Sequence, residues 1–296
     1  RRRHFPGWDG AMSKVQPAVA TDGKGTALMT WQMLQVSGSD VFKGMFMARS
    51  VDGGVTWSEP RKMTALKETR KGNRRVEYYG NPHYSFRNRR WFGLGMTTTY
   101  ENDKGPIVAQ RAISETGLDY PIQLFVDAEK GEYTGWRPLP FPFEFSRCYA
   151  FGQWLEMENG DILVAFYYQV PDAKRMEFCR VVTVRYRFDG ENLEIVEAGT
   201  PMVGEGHARG FDEPSLARLD GTYYLTLRTD EQGLLATSRD GLVFSKPEPW
   251  RWDDGTRLAN RNTQQHWLGC GKGLYLAYTR EGALNDHVFR NRAPIF

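Results

Sequence analysis

Ser50-Val51-Asp52-Gly53-Gly54-Val55-Thr56-Trp57 is the stretch on which the reading of this 296-residue chain turns. It has the composition of a hairpin clamp. The Asp52 carboxylate can accept N–H groups from its own turn, Gly54 allows the backbone a positive φ, and Trp57 can wedge between sheets. A worn copy, Ser238-Arg239-Asp240-Gly241-Leu242-Val243-Phe244, lies nearer the C-terminus with Phe244 near the aromatic position. A clamp that occurs twice predicts a fold that repeats its hairpins.

Outward from the clamp, helical periodicity is scarce and short β-rich runs recur: Thr26–Met33, Trp91–Met96, Ile162–Tyr168, Val181–Phe188 and Tyr223–Arg228. Asp22-Gly23, Asn159-Gly160, Asp189-Gly190 and Asp220-Gly221 sit beside them, supplying the positive φ of tight hairpins. Paired hairpins start near residues 16, 81, 149, 213 and 262. That spacing of roughly 50 to 70 residues suits a four-stranded blade with its loops. The expectation is therefore an all-β chain, a β-propeller of four-stranded blades forming one domain over residues 1–296. Five units are visible; six or seven are expected in the complete ring. A β-sandwich is the alternative, and it does not explain paired hairpins on this period.

Composition narrows the partners. Apolar residues make up 40% of the chain, enough for a core, and the 9 Trp, 14 Tyr and 17 Phe suit both strands and platforms for sugar faces. A net charge of +3 from 39 basic and 36 acidic residues is too balanced to argue for nucleic acid. No apolar stretch reaches the length of a membrane span, and no leader is visible behind Arg1-Arg2-Arg3. A secreted or periplasmic bacterial protein would look the same once its leader had been removed, so the compartment stays open, with that reading slightly favoured. Cys148, Cys179 and Cys270 form neither a disulfide framework nor a CxxC pair. With no HExxH and no phosphate-binding glycine loop, no metal or organic cofactor is expected.

Ser50–Trp57 matches the Asp box, S-x-D-x-G-x-T-W, at all five defined positions, and the chain resembles the sialidase-like β-propeller superfamily. In that superfamily the box lies at the blade periphery, which makes Asp52 a poor catalytic candidate. The resemblance extends further. Val15-Gln16-Pro17-Ala18 stands where those proteins carry Arg-Ile-Pro, and Asp40 falls where their general acid does. Such an acid needs partial burial to keep its proton. Gly210-Phe211-Asp212-Glu213-Pro214-Ser215-Leu216 and Leu225-Thr226-Leu227-Arg228 resemble the stretch around the family's active-site glutamate and second arginine. The resemblance gives Glu213 the role of polarising a tyrosine nucleophile, and Arg228 that of pairing with a substrate carboxylate. A structural Glu–Arg ion pair is the alternative. Val15 in the slot of the first arginine breaks the three-arginine carboxylate clamp, since Val cannot replace a guanidinium fork. Arg280, Arg290 or Arg292 is left to supply a late arginine, with Arg290 fitting the spacing best.

The polar and aromatic run near the C-terminus adds Gln265, His266 and His287 as candidates for binding sugar hydroxyls or moving protons, and His83 joins them from the second unit. Three functions compete. An exo-acting glycoside hydrolase would use Asp40 as acid and Glu213 as activating carboxylate. A polysaccharide lyase or histidine-dependent glycosidase would rely on a His–Tyr pair drawn from His83, His207 or His266 with Tyr149 or Tyr168. A non-catalytic propeller would bind a glycan and release no product. Fold alone does not choose among them.

Overall fold

The computed structural model describes residues 11–36, 40–101, 117–150, 154–171, 179–204, 206–207, 209–270, 273–287 and 295–296. It divides into two compact units, Arg1–Arg111 with Leu118–Leu139, and Ala112–Gly117 with Pro140–Phe296.

The first unit holds two antiparallel meanders. One is β1 (Met12–Thr21), β2 (Ala27–Gln35), β3 (Phe42–Ser50) and β4 (Arg61–Lys62), hydrogen-bonded in chain order. The other is β5 (Thr69–Lys71), β6 (Arg74–Ser85), β7 (Arg90–Glu101), β8 (Pro121–Asp127) and β9 (Glu132–Pro138), again in chain order. Leu28, Met45, Leu94, Ile122 and Leu124 fill the core of this unit with no exposed surface.

The second unit contains three sheets. The first comprises β10 (Arg147–Tyr149), β11 (Trp154–Glu156), β12 (Ile162–Gln169), β13 (Arg180–Phe188), β14 (Leu193–Ala198) and β15 (Met202–Val203), with β12 and β13 at its centre. Every residue of β12 is buried, so the run Ile162-Leu163-Val164-Ala165-Phe166 reads as continuously apolar instead of alternating. Next comes the meander β16 (Asp212–Leu219), β17 (Thr222–Arg228), β18 (Gly233–Ser238) and β19 (Glu248–Pro249), and last the hairpin β20 (His266–Cys270) and β21 (Gly273–Ala277). Among the described residues, four sheets have four or more strands and form a four-blade propeller arrangement, whereas the fifth unit is the two-stranded hairpin of β20 and β21. The sequence led to five units and to six or seven blades in the complete ring, more than the four blades found.

The turn chemistry follows the residues. Asp220 and Gly221 both have positive φ, 48° and 75°, and join β16 to β17 through a two-residue loop of type I′. The clamp at Ser50 forms as its composition requires: Asp52 accepts from Thr56 N (2.9 Å) and Thr56 Oγ1 (2.6 Å), Gly54 N donates to Ser50 Oγ (2.8 Å), and Trp57 Nε1 closes on the Gly54 carbonyl (2.9 Å). These bonds hold the Asp52 carboxyl far below the usual range. The worn copy keeps the half it retains, with Asp240 accepting from Leu242 N (2.8 Å) and Val243 N (2.9 Å). Each clamp follows the third strand of its sheet, β3 or β18.

Both of these sheets bend at the same place. On β1, Val15 faces Gln32 and Ala18 faces Thr30, so three steps match two. On β16, Asp212 faces Arg228 and Ser215 faces Thr226, with the same one-residue excess. Gln16 and Glu213 occupy the bulges in the left-handed region, at φ 52° and 44°, each directly before a proline. Steric crowding opposes that conformation for residues with a Cβ, and the following proline adds to it.

Candidate active site

The bulge on β16 turns the Glu213 side chain onto Arg228 of the neighbouring strand. Arg228 Nη1 donates to Glu213 Oε2, and its Nε donates to Asn262 Oδ1 at 2.7 Å. Asn262 in turn donates to the Asp230 carbonyl (2.7 Å), fixing the loop after β17. The second terminal nitrogen of Arg228 has no partner among the described residues. Glu213 keeps 15% of its side chain exposed and Arg228 7%, so a partly open carboxylate lies over a nearly buried guanidinium.

Asp212, adjacent to Glu213, is fully buried. Its Oδ2 accepts from Arg209 Nη1 at 3.3 Å, whereas Oδ1 is buried without a partner among the described residues. Arg209 is held in turn by Asp230, through backbone N (2.6 Å) and Nε (3.2 Å). Burial first, and the Glu213 charge second, push the Asp212 carboxyl up to about 7, against the pull of Arg228 and Arg209. Two adjacent carboxyls with divided protonation are a familiar means of providing an acid and a base at one place.

The neighbouring sheet supplies tyrosines. Tyr149 of β10 and Tyr167 of β12 are paired in register, with ring centroids 4.9 Å apart, and Arg147 Nε donates to the Tyr149 hydroxyl. Burial, then the charge of Glu213, drives the Tyr167 phenol well above its ordinary range and keeps it protonated. Cys179, buried beside the same charges, is pushed up as well. Tyr168, one of the two tyrosines expected from sequence, points the other way: it packs on Phe141 (5.2 Å) and Phe143 (5.8 Å). Strand alternation gives its place beside Glu213 to Tyr167.

The remaining expected residues separate. His266 begins β20 and is half-buried, its Nε2 3.4 Å from Gln264 Oε1; burial lowers its pKa, with Glu213 pulling the other way. Gln265 is buried and converges with Asn260 on Gly233, where a Cβ would lie 1.7 Å from the Gln265 amide nitrogen and 2.5 Å from that of Asn260. Arg280 lies over the Phe296 ring at 4.6 Å and His287 is exposed. His207 stacks loosely on Phe211 at 5.9 Å. Arg290 and Arg292 fall outside the described residues.

In the first unit, His83 is buried against Phe92 at 5.4 Å, and burial lowers its pKa to about 3, leaving a neutral imidazole built into the sheet. Asp40 is an exposed turn residue at φ 56°, without the partial burial asked of an acid. Its backbone carbonyl accepts from Tyr100 Oη at 2.9 Å, and the ring of Tyr100 lies 4.2 Å under the Arg75 guanidinium. Arg75 is ion-paired with Glu77; both are almost fully buried, and nothing in the repeat pattern announced them. Asp212, Arg209, Arg147 and Tyr167 were likewise missed as site residues. Arg209 and Asp212 lie beside the Glu213 motif, so the signal for them was adjacency to a residue already chosen.

No protein-family model and no curated protein sequence matches the chain. Solved structures do. The chain is similar to Hadza microbial sialidase Hz136 at a TM-score of 0.61 and 14% identity, over 90% of this chain and 53% of that one. The fold is an all-β propeller in a four-blade arrangement, as in these neighbours. Likeness extends to the leech intramolecular trans-sialidase complexed with 2,7-anhydro-Neu5Ac (TM-score 0.58, 14% identity, 91% of this chain and 58% of that one). It also reaches the PL25 ulvan lyase (TM-score 0.50, 13% identity, 88% of this chain and 61% of that one). The chain therefore spans between half and two thirds of the length of these neighbours.

Proposed function

We propose that this chain is a carbohydrate-active enzyme, an exo-acting glycoside hydrolase that takes a terminal acidic sugar. The observation that carries the reading is the strained, partly open Glu213, ion-paired to an arginine with one terminal nitrogen to spare. Backbone strain of this kind is tolerated where the surrounding structure holds it and is concentrated at functional sites. The same bend at Gln16 carries no charge, so the argument rests on the bend together with its occupant.

In this reading the free Arg228 nitrogen takes one oxygen of an anionic substituent, and the Asn262 bond keeps the guanidinium plane fixed while it does so. Glu213 accepts a proton from the attacking nucleophile, a tyrosine hydroxyl or water. The nucleophile bonds to the anomeric carbon as the glycosidic C–O bond breaks, and the leaving oxygen takes a proton from a general acid or from water. Buried Asp212, protonated below about 7, leaves the Glu213 carboxylate as the single negative charge of the pair.

A second reading has its own observation. The Arg147 guanidinium donates to the Tyr149 hydroxyl, and a tyrosine oxygen held beside a cation suits removal of the C5 proton of a uronate. The C4–O bond then breaks as a C4=C5 double bond forms, and the leaving oxygen takes up the proton that Tyr149 removed. One experiment separates the readings: incubation with a panel of sialylated and uronate-bearing oligosaccharides, followed by mass spectrometry and ultraviolet absorbance. A saturated monosaccharide, lost in Glu213→Gln, supports the hydrolase. An unsaturated product, lost in Tyr149→Phe, replaces it with the lyase. Binding with no product from any substrate overturns both in favour of a glycan-binding propeller.

A further inference from the structure

The first unit contains a cleft of about 500 Å³ that no part of the Glu213 site uses. Its wall includes Asp22 from the turn after β1, Arg49 near the end of β3, Trp91 at the start of β7, and Asp127 and Glu129 after β8. The size lies within the range of small-ligand sites.

An aromatic shelf continues from it. Trp91 packs on Tyr84 at 5.2 Å, and Tyr84 meets Phe86 edge-on at 5.1 Å. Phe86 leaves 58% of its surface in solvent, so the shelf has an open apolar face. Its ring lies over Gly23, where a Cβ would stand 3.4 Å away, so the shelf runs up to the Asp22 turn.

The polar groups are mixed in sign. Arg49 uses its Nε on the Ala128 carbonyl (2.7 Å), and its terminal nitrogens have no partner among the described residues. Asp22 and Asp127 each anchor their own turn, through Lys24 N (2.7 Å) and Lys130 N (3.0 Å). An anion would meet three carboxylates here, and a cation would meet the guanidinium. Among the described residues, no group of three or more acidic, His or Cys side chains is placed to hold a metal. A neutral ligand that carries hydroxyls on an apolar ring suits all the walls: hydroxyls donate to the carboxylates and accept from Arg49, while the C–H face covers the indole.

We propose that this cleft is a second carbohydrate site, selective for neutral oligosaccharides and independent of the Glu213 site. The test uses the full chain carrying Glu213→Gln on a microarray of neutral, uronate-terminated and sialate-terminated oligosaccharides, with affinities from titration of the best neutral binder. Neutral oligosaccharides are expected to bind, and Trp91→Ala to weaken them by about tenfold. Arg49→Gln, at a half-buried position and without loss of core volume, is expected to weaken them several-fold, and it decides the matter if Trp91→Ala fails to fold. Absence of any neutral binder, recognition of acidic glycans alone, or affinity unchanged in the folded variants overturns the proposal. A chain that hydrolyses substrate yet binds no neutral glycan overturns this site and leaves the Glu213 reading standing.

Discussion

Replacing Asp212 by Asn should change how stability depends on pH more than it changes stability itself. In the folded chain, burial and the Glu213 charge raise the carboxyl from 3.8 to about 7. Between those values the folded state holds a proton that the unfolded state has released, so stability falls as pH rises through this window. Below it both states are protonated and the penalty is absent; above about 7 the penalty is complete. A shift of about three units at about 1.4 kcal/mol each gives about 4 kcal/mol at pH 8. Asn keeps the shape and an acceptor for Arg209 but carries no proton to lose. Urea unfolding of both proteins from pH 4 to pH 8 should therefore give curves that diverge with pH, the variant gaining about 4 kcal/mol relative to the parent over that span. Curves that stay parallel within about 1 kcal/mol would show that Asp212 is ionised in the folded state throughout, and the division of roles between the two carboxyls would fall with it.

Three further outcomes are expected. Gly233→Ala would drive a methyl group to 1.7 Å from the Gln265 amide in a closed setting, at a cost of about 1–3 kcal/mol measured by denaturant unfolding; an unchanged midpoint would mean that Gln265 moves aside freely. Glu77→Gln would leave the fully covered Arg75 with partly exposed Glu68, 3.7 Å away, as its remaining acidic partner and should cost about 3 kcal/mol, against under 1 kcal/mol if the pair were solvated. Gln16→Gly should stabilise the chain by about 1 kcal/mol, because glycine adopts φ 52° without steric penalty; destabilisation would mean that the Gln16 side chain is needed there.

The fold was legible because a propeller advertises itself locally. Asp220-Gly221 forces a two-residue hairpin whatever surrounds it, and the Ser50–Trp57 clamp is closed by its own side chains. Glu213 and Arg228 were legible as a pair because the neighbouring strand lies a short turn away. Asp212 was harder to recognise, since its protonation depends first on burial, which is not visible in a row of letters, and only then on the charge of Glu213 beside it. Tyr167 was hidden by a single step of alternation, which sent Tyr168 into the Phe141 cluster instead. Arg75 and Glu77 stand on one face of β6, two residues apart, and only the packing of β3 against that strand reveals that the pair is sealed from water.

The crooked step shared by β1 and β16 separates the seat from its occupant. A glutamine sits in one and a glutamate in the other, with the same proline behind each and the same extra residue in the ladder. The scaffold thus repeats the same bent step whether or not chemistry is placed on it, and a single change of amide to acid separates the two. For anyone redesigning this chain, Gln16 is an empty socket already wired into a blade, where a new reactive group could be installed without rebuilding the backbone that presents it.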